Sequence, residues 1–278
     1  MTTSSVTRTN PDTVVSTEGN HVAFQRFGDG PPIIVLPGAM NPGESWRGVA
    51  ERLADTYTVL LVDRRGYPPS EEAGGVSSFA REVADVRALI AHVGGSAHVL
   101  GHSYGGLLAL HAALADPSGI RSLLLYEAPV LAGGPHVAAA LPRFRELLAA
   151  GDPFAAIMVF LTEVVRVTPA DMALMATDDP ESDPEPEDIA AMARPVLHDF
   201  ESVSGLTTDM NDFAPITLPV LLMAGSTTFG NSLAGSTEAL QAVLPQAEVV
   251  VWEGQSHFAN MMAPETVAAT LRGYLEGR

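Results

Sequence analysis

Apolar positions along the chain follow two rhythms that take turns. Short continuous apolar runs, Pro32–Leu36 (PIIVL) and Val59–Val62 (VLLV), predict strands buried on both faces. Elsewhere apolar residues recur at helical spacing. Phe79, Val83, Val86, Leu89, Ile90 and Val93 predict a helix over 79–93, with Gly94-Gly95 as its stop. Further strands are predicted at Val14–Ser16, Val22–Phe27, Val99–Leu100, Leu123–Tyr126, Pro219–Ala224 and Val249–Trp252, the first two joined by a turn at Glu18-Gly19-Asn20. Further helices are predicted at Trp46–Leu53 (with Ser45 as N-cap), Gly105–Ala115, Leu233–Val243 and Pro264–Leu275.

The alternation stops between Val130 and Asp212. That stretch has no clear strand, only Ala/Leu/Met-rich helical segments at Val137–Ala150, Pro153–Val165 and Pro169–Ala176. An acidic run with repeated prolines follows, Asp178 to Asp188, and predicts a solvated loop. Alternating strands and helices imply a mostly parallel sheet covered by helices on both faces. Ligands in such sheets bind outside the carboxyl ends of the strands, so a helical insertion emerging there would lie over the site as a lid. The expected division is a disordered tail over 1–10, a core over 11–129 and 213–278, and a helical cap over 130–212.

Composition narrows the function classes. A hydrophobic fraction of 46% with 17% charged residues excludes a fully disordered chain. Without cysteine there is no disulfide framework, thiol nucleophile or thiolate metal site. A formal net charge of −18 repels phosphate backbones, so neither nucleic acid nor an anionic membrane is an expected partner. No apolar run reaches the roughly 18–20 residues of a membrane helix. Met1–Asn10 is polar and lacks the apolar core of a secretory signal, which points to a cytoplasmic protein.

The strongest chemical signal is Gly101-His102-Ser103-Tyr104-Gly105-Gly106, between a predicted strand and a predicted helix. It fits G-x-S-x-G, in which a serine occupies a sharp strand-to-helix turn that needs small neighbours. The turn exposes the Ser103 hydroxyl and puts the amide of Tyr104 at a helix N-terminus, where a developing oxyanion can be met. Of the chain's eight histidines, His257 follows the last strand and so lies at the strands' carboxyl edge. No metal-binding or nucleotide-phosphate motif occurs, so neither a metal nor a cofactor is expected.

With these residues in view the chain resembles the α/β-hydrolase superfamily, from about residue 20 to the end. The resemblance is carried by Leu36-Pro37-Gly38-Ala39, Asp63-Arg64-Arg65-Gly66, Gly101–Gly106, Tyr126-Glu127-Ala128-Pro129 and Gly254–His257. It implies an eight-stranded sheet, a helical lid inserted after the sixth strand, and a Ser–acid–His triad with Ser103 as nucleophile and His257 as base. It also implies an oxyanion hole from the amides of Tyr104 and Ala39. Asp63-Arg64-Arg65-Gly66 is mostly architectural in the superfamily.

Two departures stand out. The usual His-Gly after the third strand is Pro37-Gly38, which stiffens the oxyanion loop and removes a donor. The usual acid after the seventh strand is replaced by Thr228, and no Asp or Glu occurs between Asp212 and Glu238. The replacement expected here is Glu127, at the end of the sixth strand, with a Ser–His dyad lacking an acid, and then Glu253, as the alternatives. Some superfamily members take their acid from that sixth-strand end. The expected function is a serine hydrolase of an ester, thioester or lactone of a mostly apolar small molecule. The same machinery would also serve acyl transfer or carbon–carbon cleavage, and the different-class alternative is a non-catalytic ligand-binding protein. The Met-rich positions Met158, Met172, Met175 and Met192, with Met261-Met262, read as core packing or as an adaptable pocket lining. The sequence carries no reading of oligomeric state.

Overall fold

A computed structural model describes residues 11–70, 78–169, 186–228, 233 and 235–278. The expected tail over 1–10 and all of the Pro169–Ala176 helix beyond Pro169 lie outside the described residues. Eight strands form one sheet: β1 (Asp12–Val15), β2 (His21–Phe27), β3 (Pro32–Leu36), β4 (Thr58–Asp63), β5 (Ala97–His102), β6 (Ile120–Tyr126), β7 (Val220–Gly225) and β8 (Glu248–Trp252). Their order is β1-β2-β4-β3-β5-β6-β7-β8, with β2 antiparallel to β1 and β4 and the remaining pairs parallel.

Both faces of the sheet are covered, which is why its central strands read as continuous apolar runs. Successive residues point to opposite faces. Ile34, Leu36, Val99, Leu123, Leu125, Val220 and Leu222 enter one apolar layer. Ile33, Val35, Leu100, Leu124, Tyr126, Leu221 and Met223 enter the other. Helices α1 (Arg47–Leu53) and α10 (Pro264–Leu275) pack on the second face. Helices α2 (Phe79–His92), α3 (Tyr104–Ala115) and α8 (Ser236–Val243) pack on the first.

Between β6 and β7 the chain forms α4 (Pro135–Ala149), α5 (Pro153–Val159) running into a π-helical turn (Phe160–Val165), α6 (Pro186–Ala191), α7 (Ala193–Ser204) and a short 3-10 turn (Met210–Phe213). This helical cap closes on itself through Phe200, whose ring meets Phe144 at 5.4 Å and Phe160 at 5.8 Å.

Several local expectations are corrected. β1 lies two residues earlier than Val14–Ser16; as an edge strand with one neighbour it tolerates Asp12 and Thr13. Ser45 does not cap α1: it lies inside a 3-10 turn, and its hydroxyl donates to the Pro42 carbonyl. Residues 186–188 of the expected acidic loop begin α6. Proline suits a first helical turn, and Glu187 and Asp188 there complement the positive end of the helix dipole. Helix α7 has no counterpart among the predicted helices. Pro195 lies in the first turn, where its missing N–H has no intrahelical partner to lose. The predicted helix at 233 begins at Ser236.

Candidate active site

The parallel strands bring their carboxyl ends together, and the chemistry-bearing residues stand there. Ser103 links β5 to α3 with φ 52° and ψ −123°, a conformation few side chains adopt. The surrounding backbone holds it: Ser103 N–H donates to the Tyr126 carbonyl at 2.9 Å, and the Ser103 carbonyl accepts Gly106 N–H at 2.8 Å. Glycine is required at the turn by close approach. A Cβ on Gly105 would lie 2.0 Å from the Leu36 carbonyl oxygen, and one on Gly106 would lie 2.6 Å from Ala128 Cβ, at the root of the cap. The Ser103 side chain is half-buried.

His257 follows β8 on a short loop before α9 (Ala259–Met262) and is buried. Its Nδ1 lies 2.5 Å from Glu127 Oε2. Glu127 ends β6 with φ 46°, and its own N–H donates to the Met223 carbonyl at 3.0 Å. Its other oxygen, Oε1, accepts Gly225 N–H at 2.8 Å and the Thr228 hydroxyl. Every neighbour is a donor, the complement of an acceptor-only carboxylate. Donation from Nδ1 leaves the lone pair of the neutral His257 ring on Nε2. Glu253, the lesser candidate, is exposed on the turn after β8.

Thr228 stands where the sequence comparison of motifs expects an acid. The structure gives it a different task, a hydroxyl donor to the carboxylate that has come from the neighbouring strand. Strand β6 pairs with β7 in parallel, with Tyr126 opposite Met223, so the next residue on β6 is delivered beside Gly225 and the loop that follows.

Two further residues hold the His257 loop, and neither was assigned this part by the sequence reasoning. His102 Nε2–H donates to the His257 carbonyl at 3.1 Å, and the two rings lie 4.5 Å apart. Burial, then the neighbouring His257, depresses the His102 pKa well below the usual histidine value, so this ring is a neutral donor. The Tyr126 hydroxyl donates to the Ser256 carbonyl and accepts Ala259 N–H at 3.1 Å, bracketing His257 from both sides. Burial, then Glu127, pushes the Tyr126 pKa up, which keeps it a phenol. The signal was present in the pairing: His102 and Tyr126 are register partners on β5 and β6, and their rings stack at 4.7 Å. Each immediately precedes a candidate site residue.

The loop after β3 passes directly over Ser103: a Cβ on Gly38 would lie 3.0 Å from Ser103 Cβ. Ala39, the other expected oxyanion donor, is next in that loop. Tyr104 opens α3, so its N–H is among those a helix leaves without an internal partner. Outside the site, buried His98 hydrogen-bonds Ser122 at 2.7 Å, and half-buried His111 stacks on Phe79 at 4.1 Å. Among the described residues no three His, Asp or Glu side chains converge as a metal site, and no helix is long and apolar enough to cross a membrane.

The chain is 38% identical over 104 residues to a pimeloyl-[acyl-carrier protein] methyl ester esterase of Aeromonas hydrophila, which is 37% of this chain and 40% of that protein. It is 34% identical over 124 residues to an N-formylmaleamate deformylase of Pseudomonas putida, 43% of this chain and 46% of that one. Both matches thus span less than half of the curated relative. The crystal structure of an alpha/beta hydrolase from Sphaerobacter thermophilus superposes with a TM-score of 0.82 at 31% identity, over 95% of this chain and 99% of that one. A sequence profile of the alpha/beta hydrolase family matches residues 33–270. The chain is a member of the α/β-hydrolase family.

Proposed function

We propose that the protein is a serine hydrolase that cleaves an ester, thioester or lactone of a mostly apolar small molecule through an acyl-enzyme. The observation that carries this reading is the Glu127–His257 hydrogen bond beside a serine held on a strained strand-to-helix turn. Ser103 Oγ attacks the substrate carbonyl carbon while His257 Nε2 takes its proton. The carbonyl oxygen, now an anion, is received by the amides of Tyr104 and Ala39. His257 then gives the proton to the leaving group, and water repeats the sequence to release the acid. Glu127 holds His257 in the tautomer that leaves Nε2 basic and stabilises the charge it acquires. The names of the partial relatives, a methyl ester esterase and a deformylase, fit acyl transfer to water. A serine at position 103 speaks against the carboxylate-nucleophile chemistry of dehalogenases and epoxide hydrolases.

A fluorophosphonate probe tests the reading and separates it from a binding protein on the same scaffold. Intact-mass analysis should show one adduct on the wild-type chain and none on Ser103→Ala. The same substitution should lower turnover of p-nitrophenyl esters by roughly 10³–10⁶. An unlabelled wild-type protein, or a Ser103→Ala variant retaining a tenth of wild-type turnover, contradicts it.

A further inference from the structure

The segment after β4 carries two buried side chains, Arg64 and Tyr67, that face the same pair of partners. One partner is the backbone of Pro37–Met40, the loop over Ser103. The other is Asp199, on cap helix α7. Arg64 donates from Nε to the Pro37 carbonyl at 2.9 Å and from Nη2 to the Gly38 carbonyl at 3.2 Å. The same guanidinium makes a two-pronged pair with Asp199, at 2.7 and 2.9 Å. The Tyr67 hydroxyl donates to Asp199 Oδ2 at 2.5 Å and accepts Met40 N–H at 3.0 Å. The rings of Tyr67 and Tyr104 flank the guanidinium, 4.6 and 4.3 Å from their centroids.

Peptide geometry turns these contacts into a statement about Ala39. The Gly38 carbonyl and the Ala39 N–H belong to one planar trans peptide unit and point in opposite directions. Drawing the carbonyl toward Arg64 therefore aims the Ala39 N–H away from Arg64. The next unit is pinned too: Met40 N–H is held by Tyr67, and the opposed Ala39 carbonyl by Asn41 Nδ2 at 2.9 Å. Asp199 is what keeps Arg64 there. The other carboxylate facing Arg64 is Glu82, on α2, at 3.4 Å. Without Asp199 the guanidinium would be drawn toward Glu82 and away from the loop.

We propose that Asp199 of the cap, acting through Arg64 and Tyr67, is a positioning residue that aims the Ala39 amide at the oxyanion, so that a docked cap is a condition for a formed oxyanion hole. This rests on the serine-hydrolase reading above, with Ala39 as one of its donors. The planar fork of arginine suits the task, since one group can grip a carboxylate with two bonds while donating to two carbonyls.

The test uses the full chain, an ester and a transition-state analogue. An aryl trifluoromethyl ketone adds reversibly to an activated serine: the Oγ–C bond forms, the C=O π pair moves onto oxygen, and the hydroxyl proton passes to His257. Its affinity reports the oxyanion hole, whereas KM for the ester reports mainly ground-state binding. Tyr67→Phe should lower kcat on p-nitrophenyl butyrate about 10-fold and Asp199→Asn about 100-fold, below the full loss of a donor, with KM within about threefold. The ketone's Ki should rise by the same factor that kcat/KM falls. Glu163→Gln, which breaks an exposed ion pair of the cap with Arg143, should leave kcat within about twofold. If Asp199→Asn does not fold, Tyr67→Phe carries the test, since only a hydroxyl is lost. Unchanged kcat and Ki in Tyr67→Phe, in a background whose serine still labels, overturns the proposal alone. A fall in kcat with unchanged Ki overturns it as well. A wild-type chain that neither labels nor turns over overturns the serine-hydrolase reading and this inference with it.

Discussion

At the scale of single residues, the informative pair is Thr228 and Glu127. A family position that ordinarily carries charge has become a hydroxyl donor, and the charge stands one strand away. The two changes complement each other, because Thr228 donates to the oxygen of Glu127 that His257 does not use. Thr228→Val keeps the shape and removes the donor. It should lower kcat by about 10- to 100-fold, the worth of one hydrogen bond to a charged group. Thr228→Asp in the wild-type chain should do more harm than Thr228→Val, because it sets a second carboxylate against the first. In a Glu127→Gln background the same aspartate stands at the usual family position and should recover part of the lost rate. Steady-state kinetics on one ester for the three variants check the order. A Thr228→Asp chain as active as wild type would contradict the placement of Glu127. That Ser103, His257 and Glu127 would gather at the strands' carboxyl ends was legible in the sequence, because a motif, an element order and a missing acid each pointed there. The parts of His102, Tyr126 and Asp199 were not. Each acts on a residue far away in the chain, Arg64 and Asp199 being 135 positions apart, and only packing brings them together.

At the scale of elements, legibility followed burial. The central strands announced themselves because both faces are covered, so their middles are continuous apolar runs such as Ile33–Leu36, Val59–Val62 and Leu123–Tyr126. Edge strand β1 was found but placed late, because one open side admits Asp12 and Thr13. Cap helix α6 was hidden because Pro186 belongs to the acidic, proline-rich run read as a loop, although it lies in a first turn, and α7 was not among the predicted helices. Strand β6 has the largest share in the site. It presents Tyr126 to the loop on either side of His257, Glu127 to His257 itself, and a carbonyl to Ser103 N–H. One strand therefore sets nucleophile, base and acid relative to one another.

At the scale of the whole molecule, buried ionisable groups make stability depend on pH in two opposed ways. Burial, offset by Arg64 and reinforced by Asp199, raises the Glu82 pKa from 4.5 to about 7. Between those values the folded chain keeps a proton that the unfolded chain releases, so this group's contribution is lost as pH rises through that window. His98 runs the other way: burial, then Arg121, lowers its pKa from 6.5 to about 4. Across that interval the unfolded chain takes up a proton that the folded chain refuses, so stability is lost as pH falls. Burial lowers His102 and His111 in the same direction. Glu82→Gln removes the first effect alone. The variant's melting temperature relative to wild type should therefore climb between pH 5 and pH 8, as followed by circular dichroism. A difference constant across that range would contradict a Glu82 proton held by the fold.

The proposed mechanism turns on a serine activated by a base whose acid comes from the end of the sixth strand. The most direct measurement is kcat of Glu127→Gln, which keeps shape, turns one acceptor oxygen into a donor and removes the charge. Loss of a triad acid by such an exchange costs about 10⁴ in a serine protease, and a fall of roughly 10²–10⁴ is expected here, with the folded state intact by circular dichroism. Turnover within about threefold of wild type would show that His257 works without Glu127.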